Sequence, residues 1–92
     1  MLRSLPLQSV KIDRGLIEPL PATDAAAVVQ AICQLAVALR LDVVAEGIET
    51  AAQAKIARLA GCHELQGDLF AKPLTPDEAG QWLQDAPVAL WS

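Results

Sequence analysis

An α/β fold of three consecutive parallel βα units is the architecture this 92-residue chain predicts. Three observations point there. Short, β-branched apolar runs alternate with longer stretches of helical periodicity. Two capping boxes open helices directly after such runs, and the order β-α-β-α-β-α in sequential units implies right-handed crossovers with helices covering a parallel sheet.

The elements follow in order. Ser9-Val10-Lys11-Ile12 is a strand candidate between Pro6 and an Asp13-Arg14-Gly15 turn. After a turn at Pro21 to Thr23, the span Asp24 to Leu39 sets Val28, Ile32, Leu35, Ala36 and Leu39 on one stripe of an amphipathic helix. Leu41-Asp42-Val43-Val44-Ala45, bounded by Gly47, is too short for a helix and reads as a buried strand. Thr50 and Gln53 form a capping box for a helix that turns Ile56 and Leu59 inward and stops at Gly61. Cys62 to Gln66 is a short extended segment. Thr75-Pro76-Asp77-Glu78 is a second capping box, with proline at the first helical position and two acids against the helix dipole, and its helix runs through Trp82 and Leu83.

Composition raises a problem of closure. The chain is 53% hydrophobic with a mean hydropathy of +0.34, although a small domain leaves roughly 40% of its unfolded-chain surface in water and should be more polar than average. A parallel sheet is normally buried on both faces, yet three helices on one side leave the other face and the edge strands at Val10 and Leu65 exposed. A closed (β/α)8 barrel needs about 250 residues, so this chain supplies a minor part of one or completes its core by self-association. A net charge of −4 and a pI near 4.7 argue against a nucleic-acid polymer or an anionic membrane surface as partner. No apolar run approaches the roughly 20 residues of a membrane span, so a cytoplasmic location is expected. Cys33 and Cys62 have no metal-ligand spacing and are expected to be buried free thiols.

Polar residues gather where the strands end. In parallel α/β architectures reactive groups collect at the carboxyl ends of strands. The first strand ends in Lys11 and Asp13, the second runs into Glu46 and Glu49, and the third ends in Gln66 with Asp68 beyond. A site for a charged substrate would show such a rim. Simpler readings stand beside it: Lys11 as a snorkelling strand-end lysine, Asp13 as a turn former with Arg14 as surface partner, Glu46 and Glu49 as solvated acids near a helix N-terminus, Gln66 as an ordinary strand amide, Gly67 as a bend and His63 as a surface residue.

Several segments together resemble a known family. Leu5-Pro6 with Val10-Lys11-Ile12-Asp13-Arg14, then Val43-Val44-Ala45-Glu46-Gly47-Ile48-Glu49-Thr50, then Gly61-Cys62 with Leu65-Gln66-Gly67, and Leu69-Phe70 with Lys72-Pro73-Leu74 are similar to the C-terminal portion of an EAL domain. The similarity spans Leu2 to Leu83 and leaves 84–92 as a tail, within a single partial domain over 1–92. That family comprises bacterial phosphodiesterases that open cyclic di-GMP on a (β/α)8-like, TIM-type barrel.

The resemblance implies roles. Two divalent ions, Mg2+ or Mn2+, activate a water for in-line attack on the phosphodiester in the complete domain. The lysine matching Lys11 sits by the attacking water and helps hold it ionised. The glutamate matching Glu46 works beside the metal site as a base or water-orienting carboxylate, the one matching Glu49 supports the adjoining loop, and the glutamine matching Gln66 lies at the rim of ligand and metals. Asp13 is carried over as a structural member. The Glu-Ala-Leu motif, the metal-binding asparagine and glutamate and the paired aspartates of the family have no counterpart in this sequence. His63 stands where an acid is usual and Asp68 where an aromatic is usual. The expectation is therefore a fragment of a cyclic di-GMP phosphodiesterase, inactive and metal-free alone. The alternatives are a catalytically degenerate nucleotide-binding or regulatory module, or an interaction fragment that self-associates through its sheet edges.

Overall fold

The computed structural model describes residues 8–86. Leu5 and Pro6, which contribute to the resemblance, lie outside them, as does most of the expected tail. Along the described chain run β1 (Ser9–Ile12), α1 (Arg14–Ile17), α2 (Thr23–Leu39), β2 (Asp42–Ala45), α3 (Ala51–Ala60), β3 (Glu64–Leu65) and α4 (Pro76–Asp85). The three strands lie side by side in chain order, all parallel, with Lys11 opposite Val44 and Val44 opposite Glu64. This is the expected set of three parallel strands alternating with helices.

Register divides the strand residues between two faces, because successive side chains point to opposite sides of a sheet. Ile12, Val43, Ala45 and Leu65 share one face and are fully buried against the helices. Lys11, Val44 and Glu64 share the other. Into the helix-covered face pack Val29, Cys33 and Ala36 of α2, Ala54 and Ala57 of α3, and Ala79 and Leu83 of α4. Four alanines in that set keep the helices close to the sheet. At the far end Phe70 meets Trp82 edge to face, with ring centroids 5.1 Å apart.

Both capping boxes form as the sequence predicts. The Thr50 hydroxyl accepts from the Gln53 N–H at 3.1 Å, and the Thr75 hydroxyl from the Glu78 N–H at 3.2 Å, with the reciprocal bonds present. Helix α3 ends on Gly61 in the left-handed region (φ 109°). Helix α2 ends on Arg40, also left-handed at φ 59°, without glycine's freedom.

Four expectations are corrected. The buried stripe of α2 is Val29, Cys33 and Ala36, while Val28, Leu35 and Leu39 are exposed by 44%, 61% and 59%. Small side chains face the sheet because the helix lies too close for leucines there. Leu59 is likewise 65% exposed, and α3 turns Ala54 and Ala57 inward instead. The Asp13-Arg14-Gly15 segment is no simple turn: Asp13 is the N-cap of α1. Leu65 is not an open edge, since it exchanges backbone hydrogen bonds of 2.8 and 2.9 Å with Leu74. Helix α4 itself runs on through Gln84 and Asp85.

Candidate functional site

The carboxyl ends of β1, β2 and β3 meet at one rim. Beyond β2, the Glu46 N–H donates to the Ile12 carbonyl at 3.1 Å, which extends the strand pairing by one residue and keeps Glu46 on the face of Lys11 and Val44. There the Lys11 ammonium and a Glu46 carboxylate oxygen stand 3.6 Å apart, the lysine 66% and the glutamate 34% exposed. An ion pair this open contributes little to stability. Its interest is positional, as it sets one cation and one carboxylate at the end of adjacent strands.

Beside the pair opens a shallow cleft of about 230 Å³ lined by Arg14, Glu46, Gly47, Glu49, Gln66, Gly67 and Asp68. Two glycines let its walls approach. A Cβ on Gly47 (φ 80°) would stand 2.6 Å from Arg14 Cγ, and one on Gly67 would overlap the backbone of Ile48. The loops are stitched together by backbone bonds: Gln66 N–H to the Ala45 carbonyl at 2.8 Å, Ile48 N–H to the Gln66 carbonyl at 2.9 Å, and Leu69 N–H to the Ile48 carbonyl at 3.2 Å. The site therefore rests on an ordered scaffold.

Of the residues selected from sequence, Glu46, Glu49 and Gln66 come together in the cleft, and Lys11 reaches it through its pairing with Glu46. Asp13 stands apart, its carboxylate accepting from the Gly15 N–H at 2.9 Å to begin α1. In this way it places Arg14, the next residue, against Gly47. Arg14 is the cation among the lining residues, although the sequence presents it only as a surface partner of Asp13; its adjacency to a capping aspartate is the available signal.

Two further side chains make contacts at the site that the sequence does not announce. Gln53 is a buried amide at 4% exposure that does more than cap α3. Its Oε1 accepts from the Glu49 N–H at 2.7 Å and the Thr50 N–H at 3.1 Å, and its Nε2 donates to the Glu18 carbonyl at 3.3 Å, so one side chain ties the glutamate loop to the end of α1. Glu64 accepts at 2.8 Å from Gln66 Nε2, which orients the glutamine amide across the open face. The alternation Glu64, Leu65, Gln66 carried that information. His63, expected as a surface residue, is exposed, but its Nδ1 also accepts from the Val43 N–H at 2.9 Å; the ring proton then sits on Nε2, 3.8 Å from Asp42.

Known proteins share this chain's sequence and fold. The EAL domain profile matches residues 1–73. The bifunctional diguanylate cyclase/cyclic di-GMP phosphodiesterase MucR of Pseudomonas aeruginosa is 44% identical over 78 residues, covering 84% of this chain and 11% of MucR. The cyclic di-GMP phosphodiesterase NbdA of the same organism is 45% identical over 74 residues, 79% of this chain and 10% of that protein. The solved PaMucR phosphodiesterase, in complex with c-di-GMP, superposes with a TM-score of 0.66 at 44% identity, over 79% of this chain and 30% of that structure. The EAL domain of Mycobacterium smegmatis DcpA gives 0.66 at 36% identity, over 92% and 39%. The chain thus spans only about a tenth of the curated relatives and a third of the solved domains. Since the profile covers most of the chain and the same parallel βα units superpose on solved EAL domains, the chain belongs to the EAL domain family.

Proposed function

We propose that this chain is the C-terminal part of a cyclic di-GMP phosphodiesterase domain and supplies one side of its active rim. The observation that carries this is the Lys11–Glu46 pair at 3.6 Å, at the ends of adjacent strands, next to a cleft holding Gln66 and Glu49. Lys11 keeps a positive charge beside the attacking water and favours its deprotonated form as the phosphodiester is attacked. Glu46 orients that water or takes its proton. Gln66, held by Glu64, offers its amide to the nucleotide, and Glu49 and Asp13 support the loops on either side.

Mg2+ or Mn2+ belongs to this chemistry in the complete domain. Among the described residues no group of three His, Cys, Asp or Glu side chains converges to hold an ion, so the residues present do not fit a metal site by themselves. The chain alone is accordingly inactive in this reading. It also self-associates, through the outer edge of β1, which carries no strand among the described residues, and through the exposed leucines of α2. No helix among the described residues is long and apolar enough to cross a membrane, and we place the domain in the cytoplasm.

The test is turnover of cyclic di-GMP with Mg2+ or Mn2+, followed by chromatography of the linear dinucleotide. The 92-residue chain alone should form none, and the chain joined to the upstream part of an EAL domain should form it. Turnover by the chain alone that Lys11→Ala abolishes would overturn the division of the site. A joined domain that binds the nucleotide without opening it would favour the second reading, a degenerate binding or regulatory module.

A further inference from the structure

Away from the rim, the two cysteines meet. Cys33 lies on the buried face of α2 and Cys62 directly follows the Gly61 cap of α3, 29 residues later, yet their sulfurs are 3.7 Å apart. Both are free thiols, exposed by only 2% and 1%. The contact is built by backbone as well as side chains: a Cβ placed on Gly61 would come to 3.8 Å from Cys33 Cβ, so the end of α3 sits directly on α2 at this point. We propose that Cys33 and Cys62 are a modification site, a dithiol that a hydroperoxide converts to an intramolecular disulfide linking α2 to the segment that leads into β3.

The geometry requires little movement. A disulfide has an S–S length of about 2.05 Å, so closure takes roughly 1.7 Å of approach, shared between two side-chain rotations. The thiols are also unequal. The hydrogen bond between the two sulfurs holds the Cys33 thiol below the ordinary cysteine range, while the same bond and burial push Cys62 up. That direction favours Cys33 as the attacking thiol in the proposed sequence.

The chemistry balances as two steps. The Cys33 thiolate attacks the O–O bond of the hydroperoxide; an S–O bond forms, the O–O bond breaks, and the leaving oxygen departs as water or alcohol after taking a proton. Cys62 then attacks the resulting sulfenic acid at sulfur, the S–S bond forms, and hydroxide leaves with the Cys62 proton as water. Two thiols have lost two electrons, and the peroxide has been reduced by two. The tether fixes the residue immediately before His63, whose ring accepts from β2 and whose chain continues through Glu64 to Gln66.

The experiment treats the reduced 92-residue chain, dilute and folded, with hydrogen peroxide, blocks remaining thiols with N-ethylmaleimide in denaturant, and digests without reductant. Trypsin cuts at Arg40 and Arg58, between the two cysteines, so a link is visible as one joined peptide lacking two hydrogens. The expected result is a Cys33–Cys62 peptide as the main product, reversed by dithiothreitol, formed faster than in the chain unfolded at the same dilution, and accompanied by a higher urea midpoint than the reduced chain. Cys33→Ala should leave Cys62 blocked by maleimide and unlinked, with an unchanged circular dichroism spectrum. Maleimide on both cysteines after peroxide, sulfinic acid without the link, or a linked chain with a lower urea midpoint would each overturn the proposal.

Discussion

The two faces of the sheet obey different rules. On the helix-covered face, Ile12, Val43, Ala45 and Leu65 are fully buried against alanine-rich helices, so that face is finished. On the opposite face, Lys11, Glu46, Glu64 and Gln66 follow one another around a single buried apolar residue, Val44, which lies outside the helix-packed core. The first face accounts for stability, and it is to the second that the proposed function assigns the chemistry. These polar groups are open to water, so the face carries little desolvation cost as it stands and is available to a ligand or to further protein.

The sharpest way to break the comparison is at the seam between the faces. Gly67 brings its Cα against the Ile48 backbone with no room for a Cβ, so Gly67→Val should cost about 3 kcal/mol or more, or prevent folding, as read by urea denaturation. A second test uses neighbours in one strand. Leu65→Ala, on the finished face, should cost about 3 kcal/mol by loss of packing, whereas Glu64→Gln, on the open face, should stay within about 0.5 kcal/mol because the amide oxygen still accepts from Gln66. Equal costs would mean that the two faces are not energetically distinct.

Smaller effects distinguish the two capping boxes. Thr50→Ala removes one cap bond of α3 next to the glutamate loop and should cost about 1 kcal/mol in urea denaturation. The α4 box is exposed and makes its mark through pH. The Thr75 N–H donates to the Glu78 carboxylate, which holds its pKa below the usual glutamate range. A group depressed in the folded state stabilises above its unfolded pKa and loses that contribution as the pH falls through the folded value. Stability should therefore decline slightly more steeply in acid than in Glu78→Gln, whose amide cannot titrate; identical acid limbs would remove Glu78 from the account.

Legibility followed the chemistry of each signal. Capping boxes are local, so Thr50 with Gln53 and Thr75 with Glu78 were readable from four residues each, as was Gly61 from its place after the last helical turn. The β2 strand was readable because Val43, Val44 and Ala45 form an apolar run bounded by a glycine. Helix α2 misled because it is apolar nearly all round: hydrophobicity favoured a stripe through Val28, Leu35 and Leu39, while the close approach to the sheet selected Val29, Cys33 and Ala36. Leu59 misled because in α3, too, alanines, Ala54 and Ala57, take the buried positions. At the site, residue types at strand ends pointed to Lys11, Glu46, Glu49 and Gln66. Long-range partners were not visible: the contact of Arg14 with Gly47, the Gln53 amide reaching Glu18 and the meeting of Cys33 with Cys62 depend on how separate loops dock.

The open face carries the central claim, and kcat with saturating Mg2+ or Mn2+ tests it most directly in the chain joined to the rest of an EAL domain. Lys11→Ala and Glu46→Gln should each lower kcat by about 10²-fold or more, with KM changing far less, because a positioned charge or acid–base group acts mainly in the transition state. Gln66→Ala should raise KM more than it lowers kcat. Near-parental kcat for both Lys11→Ala and Glu46→Gln in a folded, nucleotide-binding domain would contradict the assignment of chemistry to this face.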